Sequence, residues 1–232
     1  MSPPAHRSVS ATATAIIPAL NEEDSIGDAV MSLPCNVVTR VIVVDGGSTD
    51  ATAERAAAAG AEVIVEPRRG YGRACITGAD AAAETDVLVF MDGDGCDVGE
   101  QAGRLVDPIA LGAADLVLGS RVRGHRERGS LAPHQAAGNR LVAAMLNRRH
   151  GLALTDIGPF RAVRRDLFDR LSMSEMTYGW PTEMIRNAAR AGGRVIEVPV
   201  DYRRRRAGSS KVSGSLRGSA AAAWYMLRVA AR

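Results

Sequence analysis

Acidic side chains cluster in three short segments, each directly after an apolar run. Residues 21–24 are Asn-Glu-Glu-Asp, residues 45–50 are Asp-Gly-Gly-Ser-Thr-Asp, and residues 92–97 are Asp-Gly-Asp-Gly-Cys-Asp. Carboxylates that converge repel one another unless a cation neutralises them. Mg²⁺ and Mn²⁺ are hard cations that bind through a few carboxylates together with substrate phosphates. Each segment alone is also ordinary turn sequence, but three such segments at the ends of predicted strands on one side of a sheet favour a site.

The apolar runs before these segments predict strands of a mostly parallel sheet. Short, nearly continuous apolar runs, typical of strands covered on both faces, occupy residues 13–18, 41–44, 61–65, 87–91 and 115–119. Helices are predicted between them, at residues 24–33, 51–59, 73–83 and 99–110. Asp50 is expected to cap the second of these helices, and Gly60 to end it. In such a sheet, ligands bind at the carboxyl ends of the strands, where all three acidic segments lie.

The alternation of strand and helix changes after residue 119. An Arg- and Gly-rich loop is predicted at residues 120–130, and a segment of unassigned type at residues 156–161. The remaining elements are predicted helices at residues 134–149, 182–191 and 215–231, and a strand at residues 195–202. No internal repeat or long linker divides the chain.

A glycine-rich loop offers a second kind of ligand site. Residues 68–73 are Arg-Arg-Gly-Tyr-Gly-Arg, so Gly70 and Arg73 are candidates for holding a pyrophosphate through backbone N–H groups and a guanidinium. The loop differs from a dinucleotide fingerprint, because Cys75 stands in place of the third glycine and because the loop follows the third strand. A Rossmann dehydrogenase is therefore rejected.

Composition and charge narrow the class of protein further. The chain has 232 residues, of which 46% are hydrophobic and 24% charged, as in a globular α/β domain. Its three cysteines are too few and too widely spaced for a disulfide framework or a zinc knuckle, which favours a reducing compartment. No apolar run approaches the length of about 18 residues that a membrane span needs, and no signal-peptide pattern is present. We expect a cytoplasmic protein.

The last thirty residues are strongly basic. Residues 203–232 carry eight basic side chains and no acidic one, and Lys211 is the single lysine among 29 Lys and Arg residues. Such a run favours a phosphate-bearing partner such as a lipid headgroup or a pyrophosphate, whereas nucleic acid is not expected because aromatic side chains are almost absent. A helix carrying Trp224 and Tyr225 predicts peripheral binding to an anionic membrane surface, at the inner face of the cell membrane. The alternative is a helix docked on the core.

Ordered motifs along the chain resemble family 2 glycosyltransferases. Residues 17–22 (IPALNE), 43–50 (VVDGGSTD) and 90–94 (FMDGD) resemble the family as a whole. The motifs that resemble its polyprenyl-phosphate and dolichyl-phosphate sugar synthase branch are residues 118–121 (LGSR), 156–161 (DIGPFR), 197–203 (EVPVDYR) and 208–211 (GSSK). The resemblance implies an A-type glycosyltransferase fold, a Rossmann-like mostly parallel sheet flanked by helices. It also implies an inverting, metal-dependent transfer of a hexose from a UDP- or GDP-hexose to a polyprenyl or dolichyl phosphate.

The resemblance assigns residues to these steps. By that resemblance Pro18, Ala19, Glu22 and Asp45 hold the nucleoside. Asp92, Gly93 and Asp94 bind the donor pyrophosphate, and the two aspartates hold Mg²⁺ or Mn²⁺. Arg121 meets the acceptor phosphate, while Arg203 and Lys211 close over the donor phosphates. The implied organisation is a flexible N-terminus at residues 1–12 and a single catalytic domain at 13–232, with a nucleotide-sugar half at about 13–119 and an acceptor half at about 120–232.

Two departures from the family pattern leave alternatives open. Gly46 replaces a second aspartate that often follows Asp45, and Cys96 replaces a glutamine that often continues the metal motif. Asp97 either supports the metal in place of that glutamine or lies in a surface turn. A polyprenyl phosphate is already an anionic nucleophile, but a hydroxyl acceptor needs a general base, for which Glu183 is the candidate. The alternative for Glu183 is a carboxylate that stabilises a helix N-terminus.

Three other functions are compatible with parts of this pattern. The same donor chemistry can serve a soluble acceptor, either phosphorylated or hydroxylic. A nucleotidyltransferase is disfavoured because no glycine-rich activation loop follows the first strand. A non-catalytic nucleotide-binding or membrane-surface protein is disfavoured by the intact Asp92 and Asp94.

Overall fold

A seven-stranded sheet forms the centre of the molecule. A computed structural model describes residues 11–205 and 216–231, with the side chains of residues 216–222 left out. The strands are β1 (Ala13–Ala19), β2 (Arg40–Asp45), β3 (Glu62–Val65), β4 (Val87–Phe90), β5 (Leu116–Ser120), β6 (Arg161–Arg164) and β7 (Val195–Pro199). They lie in the order β3-β2-β1-β4-β6-β5-β7. Every neighbouring pair is parallel except the two pairs that β6 makes with β4 and β5. The predicted mostly parallel sheet is confirmed.

Helices cover both faces of this sheet. They are α1 (Ile26–Met31), α2 (Thr52–Ala58), α3 (Tyr71–Ala81), α4 (Ala102–Ala110), α5 (Pro133–His150), α6 (Arg165–Arg170), α7 (Trp180–Arg190) and α8 (Leu216–Ala231). A short 3-10 turn at Gly99–Gln101 leads into α4. No helix in the described part of the chain is long and apolar enough to cross a membrane.

Alternate residues of the central strands feed two separate cores. In β1, Ile16 packs with residues of α3, α5 and α7 on one face, whereas Ile17 packs with residues of α1 and α4 on the other. Both side chains are fully buried. This two-sided burial explains why the strands are nearly continuous apolar runs in the sequence.

The ends of α2 follow from local sequence. Gly60 has a φ of 95°, and the N–H groups of Gly60 and Ala61 donate to the carbonyls of Ala57 and Ala56, which is the Schellman pattern. The predicted end at Gly60 is confirmed. The predicted cap is displaced: Ala51 is the N-cap residue, although Asp50 Oδ1 accepts from the Thr52 N–H at 3.1 Å.

Two elements of the second half were not predicted. The strand β6 begins at the last residue of the unassigned segment 156–161, and the short helix α6 follows the strand directly. The predicted strand at 195–202 ends at Pro199, and Tyr202 makes only isolated bridges to Asp97 and Arg126.

The predicted flexible N-terminus lies outside the described residues up to residue 10. Thr12 donates from both its N–H and its hydroxyl to Asp86 Oδ2, each at 2.8 Å. The chain is therefore anchored before residue 13, where the catalytic domain was expected to begin.

Candidate active site

The acidic segments after β1, β2 and β4 meet at one edge of the sheet. β1 lies between β2 and β4, with Ala19 paired with Asp45 on one side and Ile16 with Phe90 on the other. The chain proceeds outward from β1 through β2 and β3 in one direction and from β4 in the other. The topological switch point therefore lies between β1 and β4, and such a point is where open α/β sheets bind ligands.

The loops after β1 and β2 hold each other in place. Asn21 has a φ of 49°, its N–H donates to Ser48 Oγ at 2.9 Å, and its Oδ1 accepts from the Thr49 N–H at 2.8 Å. The N–H of Glu22 donates to Thr52 Oγ1 at 2.8 Å. These bonds fix the backbone of Glu22 at the crevice, so the loop presents a preformed position for its carboxylate.

Asp45 at the end of β2 and the facing residues Pro18 and Ala19 of β1 lie mostly buried beneath these loops. The two carboxylate oxygens of Asp45 accept from the Ser48 N–H at 3.1 and 3.2 Å, and the residue is 4% exposed. Ala19 is buried and Pro18 half-buried. Pro18 lies beyond the last pair between β1 and β4, so its missing N–H removes no bond between those strands.

The segment after β4 contains carboxyl oxygens without hydrogen-bond partners. Asp94 Oδ1 accepts from the Cys96 N–H at 3.0 Å, and the Asp92 N–H donates to Asp97 Oδ2 at 3.3 Å. Asp92 is half-buried as a residue, yet its Oδ1 is fully enclosed, as is Oδ1 of Asp97, and neither atom has a partner in the described part of the chain. Asp97 is 4% exposed, so its interpretation as a surface turn is wrong.

The electrostatics of this segment follow from burial and mutual repulsion. Burial, assisted by the Asp94 charge, raises the pKa of Asp92 to about 7. Burial and the neighbouring Asp92 raise the pKa of Asp97 well above its ordinary value. Burial also raises the pKa of the Cys96 thiol, which therefore stays protonated at neutral pH and is a poor metal ligand. A divalent cation would relieve the repulsion among these carboxylates.

A guanidinium from the far end of the chain reaches this cluster. Arg205 Nη1 donates to Glu22 Oε2 at 2.8 Å, and its Nη2 donates to Asp94 Oδ2 at 3.0 Å. Arg203, predicted to close over the donor, lines a groove beside Asp94 and Asp97, with its guanidinium 3.4 Å from Glu100 Oε1. Lys211, the other predicted cation, lies outside the described residues.

The glycine-rich loop packs against the segment that precedes α7. A Cβ on Gly70, whose φ is 146°, would lie 2.3 Å from the Met176 carbonyl oxygen, and one on Gly72 would lie 2.2 Å from that of Glu175. Close packing therefore explains both glycines. The loop still borders the acidic cluster, because the buried Tyr71 hydroxyl lies beside Asp92. Arg73 is half-buried, and its Nε has no hydrogen-bond partner in the described part of the chain.

Comparison with known proteins identifies the family. The model of the family described as Glycosyl transferase family 2 matches residues 14–172, more than half of the chain. The chain belongs to glycosyl transferase family 2. It is therefore a glycosyltransferase, and the predicted A-type glycosyltransferase fold is confirmed together with the resemblance to the polyprenyl-phosphate branch.

The relatives of this glycosyltransferase include both uncharacterized proteins and enzymes with a named activity. An uncharacterized glycosyltransferase of Mycobacterium tuberculosis is 41% identical over 89% of this chain and 92% of its own length. An undecaprenyl-phosphate mannosyltransferase of Micrococcus luteus is 36% identical over 88% of this chain and 89% of its own. Among solved structures, glucosyl-3-phosphoglycerate synthase of Mycobacterium tuberculosis, in complex with Mn²⁺, UDP-glucose and phosphoglyceric acid, matches with a TM-score of 0.75 and 26% identity, covering 94% of this chain and 78% of that one.

Arg121 of the glycosyltransferase is held in a buried ion pair. Its Nε donates to Asp156 Oδ2 at 2.7 Å and its Nη2 to Oδ1 at 2.9 Å. The guanidinium also lies 5.0 Å from the centre of the Tyr202 ring. The predicted acceptor contact of Arg121 stays a prediction, and the partner of its guanidinium in the structure is Asp156.

Glu183 lies in a different groove from Asp94. Its carboxylate accepts from the Ser174 hydroxyl at 2.8 Å and from the N–H groups of Ser174 and Glu175 at 2.9 and 2.7 Å. The residue is 3% exposed and in the first turns of α7. Through these bonds Glu183 fixes the segment before α7. Its role as a general base and its alternative role in stabilising the helix N-terminus both stay predictions.

No individual role was predicted from the sequence for two charged residues that lie near the site. Arg205 is one of four consecutive arginines, and nothing in that run distinguishes it from its neighbours. Arg161 is fully buried and donates to the carbonyls of Gly158 and Pro181, and the Asp92 charge opposes the lowering of the Arg161 pKa by burial. A strand that begins with arginine gives no local signal that the arginine is buried.

Proposed function

We propose that this glycosyltransferase transfers a hexose, with inversion, from a UDP- or GDP-hexose to a polyprenyl or dolichyl phosphate. The observation that carries the proposal is the acidic cluster at the switch point, where Asp92 and Asp94 lie opposite Glu22. The acceptor class is supported by the 36% identity to an undecaprenyl-phosphate mannosyltransferase over most of both chains.

The oxygen atoms available as metal ligands fit Mg²⁺ or Mn²⁺. The oxygens present are hard carboxylate ligands, and Asp92 Oδ1 is buried without a partner in the described residues. No three His, Cys, Asp or Glu side chains of the described ranges converge as a ready-made metal site, as expected when substrate phosphates complete the coordination. Asp92 and Asp94 would hold the metal, which when bound supplies charge stabilisation for the departing diphosphate.

The remaining donor contacts are assigned to the same edge. Asp45, Glu22, Pro18 and Ala19 bind the nucleoside. Gly93 allows the Asp92–Asp94 segment to pack closely, because a Cβ there would lie 3.0 Å from Ile26 Cδ1. Gly70 and Arg73 border the pyrophosphate, and Arg203 and Lys211 close over it.

The transfer itself needs no general base when the acceptor is a phosphate. A phosphate oxygen of the acceptor attacks the anomeric carbon, the bond from that carbon to the donor diphosphate breaks, and the nucleoside diphosphate leaves. Arg121 orients the attacking phosphate, and Asp156 holds Arg121 in place. Closing cations exclude water, which limits hydrolysis of the donor.

A soluble phosphorylated acceptor is the second candidate. It is favoured by the TM-score of 0.75 with glucosyl-3-phosphoglycerate synthase in complex with phosphoglyceric acid. A hydroxyl acceptor of this kind would need a base such as Glu183, whose carboxylate is instead saturated with hydrogen bonds.

An assay that separates lipid from soluble product tests both candidates. Purified protein with Mn²⁺ receives radiolabelled UDP-glucose or GDP-mannose, and either undecaprenyl phosphate or 3-phosphoglycerate. Label in the organic phase only with undecaprenyl phosphate supports the first candidate. Label that stays in the aqueous phase as a new phosphorylated glycoside supports the second. Binding of nucleotide without transfer or hydrolysis would indicate a non-catalytic protein.

Membrane association through α8 belongs to the same proposal. Trp224 is 54% exposed, its ring lies 4.9 Å from the Arg228 guanidinium, and Met226 and Leu227 pack on the core. The docked-helix alternative therefore holds for the apolar residues, while Trp224 and Arg228 face outward at an anionic headgroup region. Liposome flotation at low salt tests this: Trp224→Ala should reduce binding to anionic vesicles, whereas Leu111→Ala, at another exposed apolar position, should not.

A further inference from the structure

Arg205 joins the two sides of the switch point. Glu22 comes from the loop after β1 and Asp94 from the segment after β4, and one guanidinium hydrogen-bonds to both. The three side chains are only 19%, 10% and 15% exposed. Partial burial strengthens such charge-assisted bonds relative to those on an open surface.

The neighbouring arginines are directed elsewhere. Arg203 pairs with Glu100 at 3.4 Å and its side chain is 39% exposed. Arg204 is exposed, and its backbone N–H donates to Glu127 Oε2 at 2.7 Å. Of Arg203, Arg204 and Arg205, it is Arg205 whose guanidinium hydrogen-bonds to Glu22 and Asp94. Arg204 is exposed, so a substitution there is a suitable control.

Arg205 occupies a carboxylate that would hold the metal ion. Asp94 Oδ1 already accepts from the Cys96 N–H, and the guanidinium takes Oδ2. A divalent cation that approached Asp94 would meet this positive charge at close range, and the two would repel each other. Metal and Arg205 therefore compete for the same carboxylate, and the guanidinium neutralises the cluster when no metal is present.

We propose that Arg205 is a further functional residue of the donor site, an internal cation that metal and donor diphosphate must displace. The inference rests on the proposed metal-dependent function. The donor diphosphate helps the exchange because it offers the displaced guanidinium a new anionic partner. Metal alone should consequently bind weakly, and nucleoside diphosphate and metal should strengthen each other's binding.

Metal binding measured without turnover tests the proposal. The concentration of free Mn²⁺ is followed by electron paramagnetic resonance during titration of wild type, Arg205→Gln and Arg204→Gln, with and without UDP or GDP. We expect Arg205→Gln to bind Mn²⁺ alone on the order of tenfold more tightly than wild type. Arg204→Gln should match wild type. The gain in Mn²⁺ affinity on adding nucleotide should be smaller in Arg205→Gln than in wild type.

Stability gives a second readout that does not depend on activity. Without metal, Arg205→Gln should melt below wild type because its carboxylates lose their counter-ion, and saturating Mn²⁺ should raise its melting temperature more than it raises that of wild type. Arg205→Lys, which keeps the charge, should fall between the two and serves if the glutamine variant folds poorly. Equal Mn²⁺ affinity in wild type and Arg205→Gln would overturn the inference alone. Failure of every variant to bind Mn²⁺, even with nucleotide, would overturn the proposed function as well.

Discussion

The carboxylates beside Arg121, after β5, differ from those that follow β4 in whether the protein itself supplies their hydrogen-bond partners. Beside Arg121 two carboxylates have internal partners: Asp156 accepts from Arg121 and Asn139, and Glu197 Oε1 accepts from the N–H groups of Thr155 and Asp156. At the end of β4, by contrast, Asp92 and Asp97 each bury an oxygen without a partner in the described residues. Satisfied charges stabilise a fold, whereas unsatisfied ones store unfavourable energy that a ligand can release.

The largest expected effect is loss of turnover at the unsatisfied cluster. Asp94→Asn should lower turnover by a factor on the order of 100 to 1,000, because the departing diphosphate loses a positioned charge. The melting temperature should change little. Asp24→Asn, on an exposed carboxylate of the same groove, is the matched control and should remain active. Full activity of Asp94→Asn, or of wild type in excess chelator, would contradict the metal role.

At the satisfied network the same kind of change should act on stability. Asp156→Ala leaves Arg121 buried beside no carboxylate, and the free energy of unfolding should fall by about 3 to 5 kcal/mol. Urea denaturation measures this loss. Glu62→Gln breaks the ion pair with Arg40, whose side chains are 41% and 49% exposed, and should cost less than about 1 kcal/mol. Similar losses in the two variants would remove the contrast between buried and exposed pairs.

An intermediate effect is expected from pH. The pKa of Asp92 is about 7 in the folded state against 3.8 for an ordinary aspartate, so the fold holds a proton that the unfolded chain has lost. The free energy of unfolding of the metal-free protein should therefore fall as pH rises from about 4 through 7. Asp92→Asn should show a weaker dependence, because Asp97, whose pKa burial also raises, still contributes in the same direction, and it should be more stable than wild type at pH 8 by on the order of 1 to 3 kcal/mol. Parallel pH profiles for the two proteins would contradict the assignment.

The smallest effect is expected within the satisfied network itself. The Thr155 hydroxyl donates to Glu197 Oε2 and shares a bond with Ser120 Oγ, both at 2.8 Å. Thr155→Val keeps the shape but removes that hydroxyl, and should cost about 1 kcal/mol of the free energy of unfolding. Turnover should be nearly unchanged. A clear loss of turnover in a variant that remains folded would contradict this expectation and would indicate that the network contacts the acceptor.

The first half of the fold was predictable because its signals are local. The five strands β1 to β5 lie within two residues of the predicted runs, since each is a short apolar segment bounded by polar turns. β6 was missed because two of its four residues are arginines, an unusual composition for a central strand. It also runs antiparallel between β4 and β5, an arrangement that depends on pairing across the sheet.

The candidate site was predictable to the same degree. The positions of Glu22, Asp45, Asp92 and Asp94 at one edge follow from strand order and the rule that parallel strands point their carboxyl ends the same way. The burial of Asp97 and of Arg161 did not follow, because both resemble surface residues in the sequence.

By itself, the sequence determined the strand and turn pattern, the acidic segments and the family, because these depend on residues that are close neighbours along the chain. Only the tertiary structure decided which charges meet. Arg205 and Glu22 are 183 residues apart, and Arg121 and Asp156 are 35 apart. Such pairs form where the order of strands in the sheet brings loop ends together, and a partner at that distance leaves no trace in local composition. The sequence contains an arginine run, and the fold selects the arginine that enters the site.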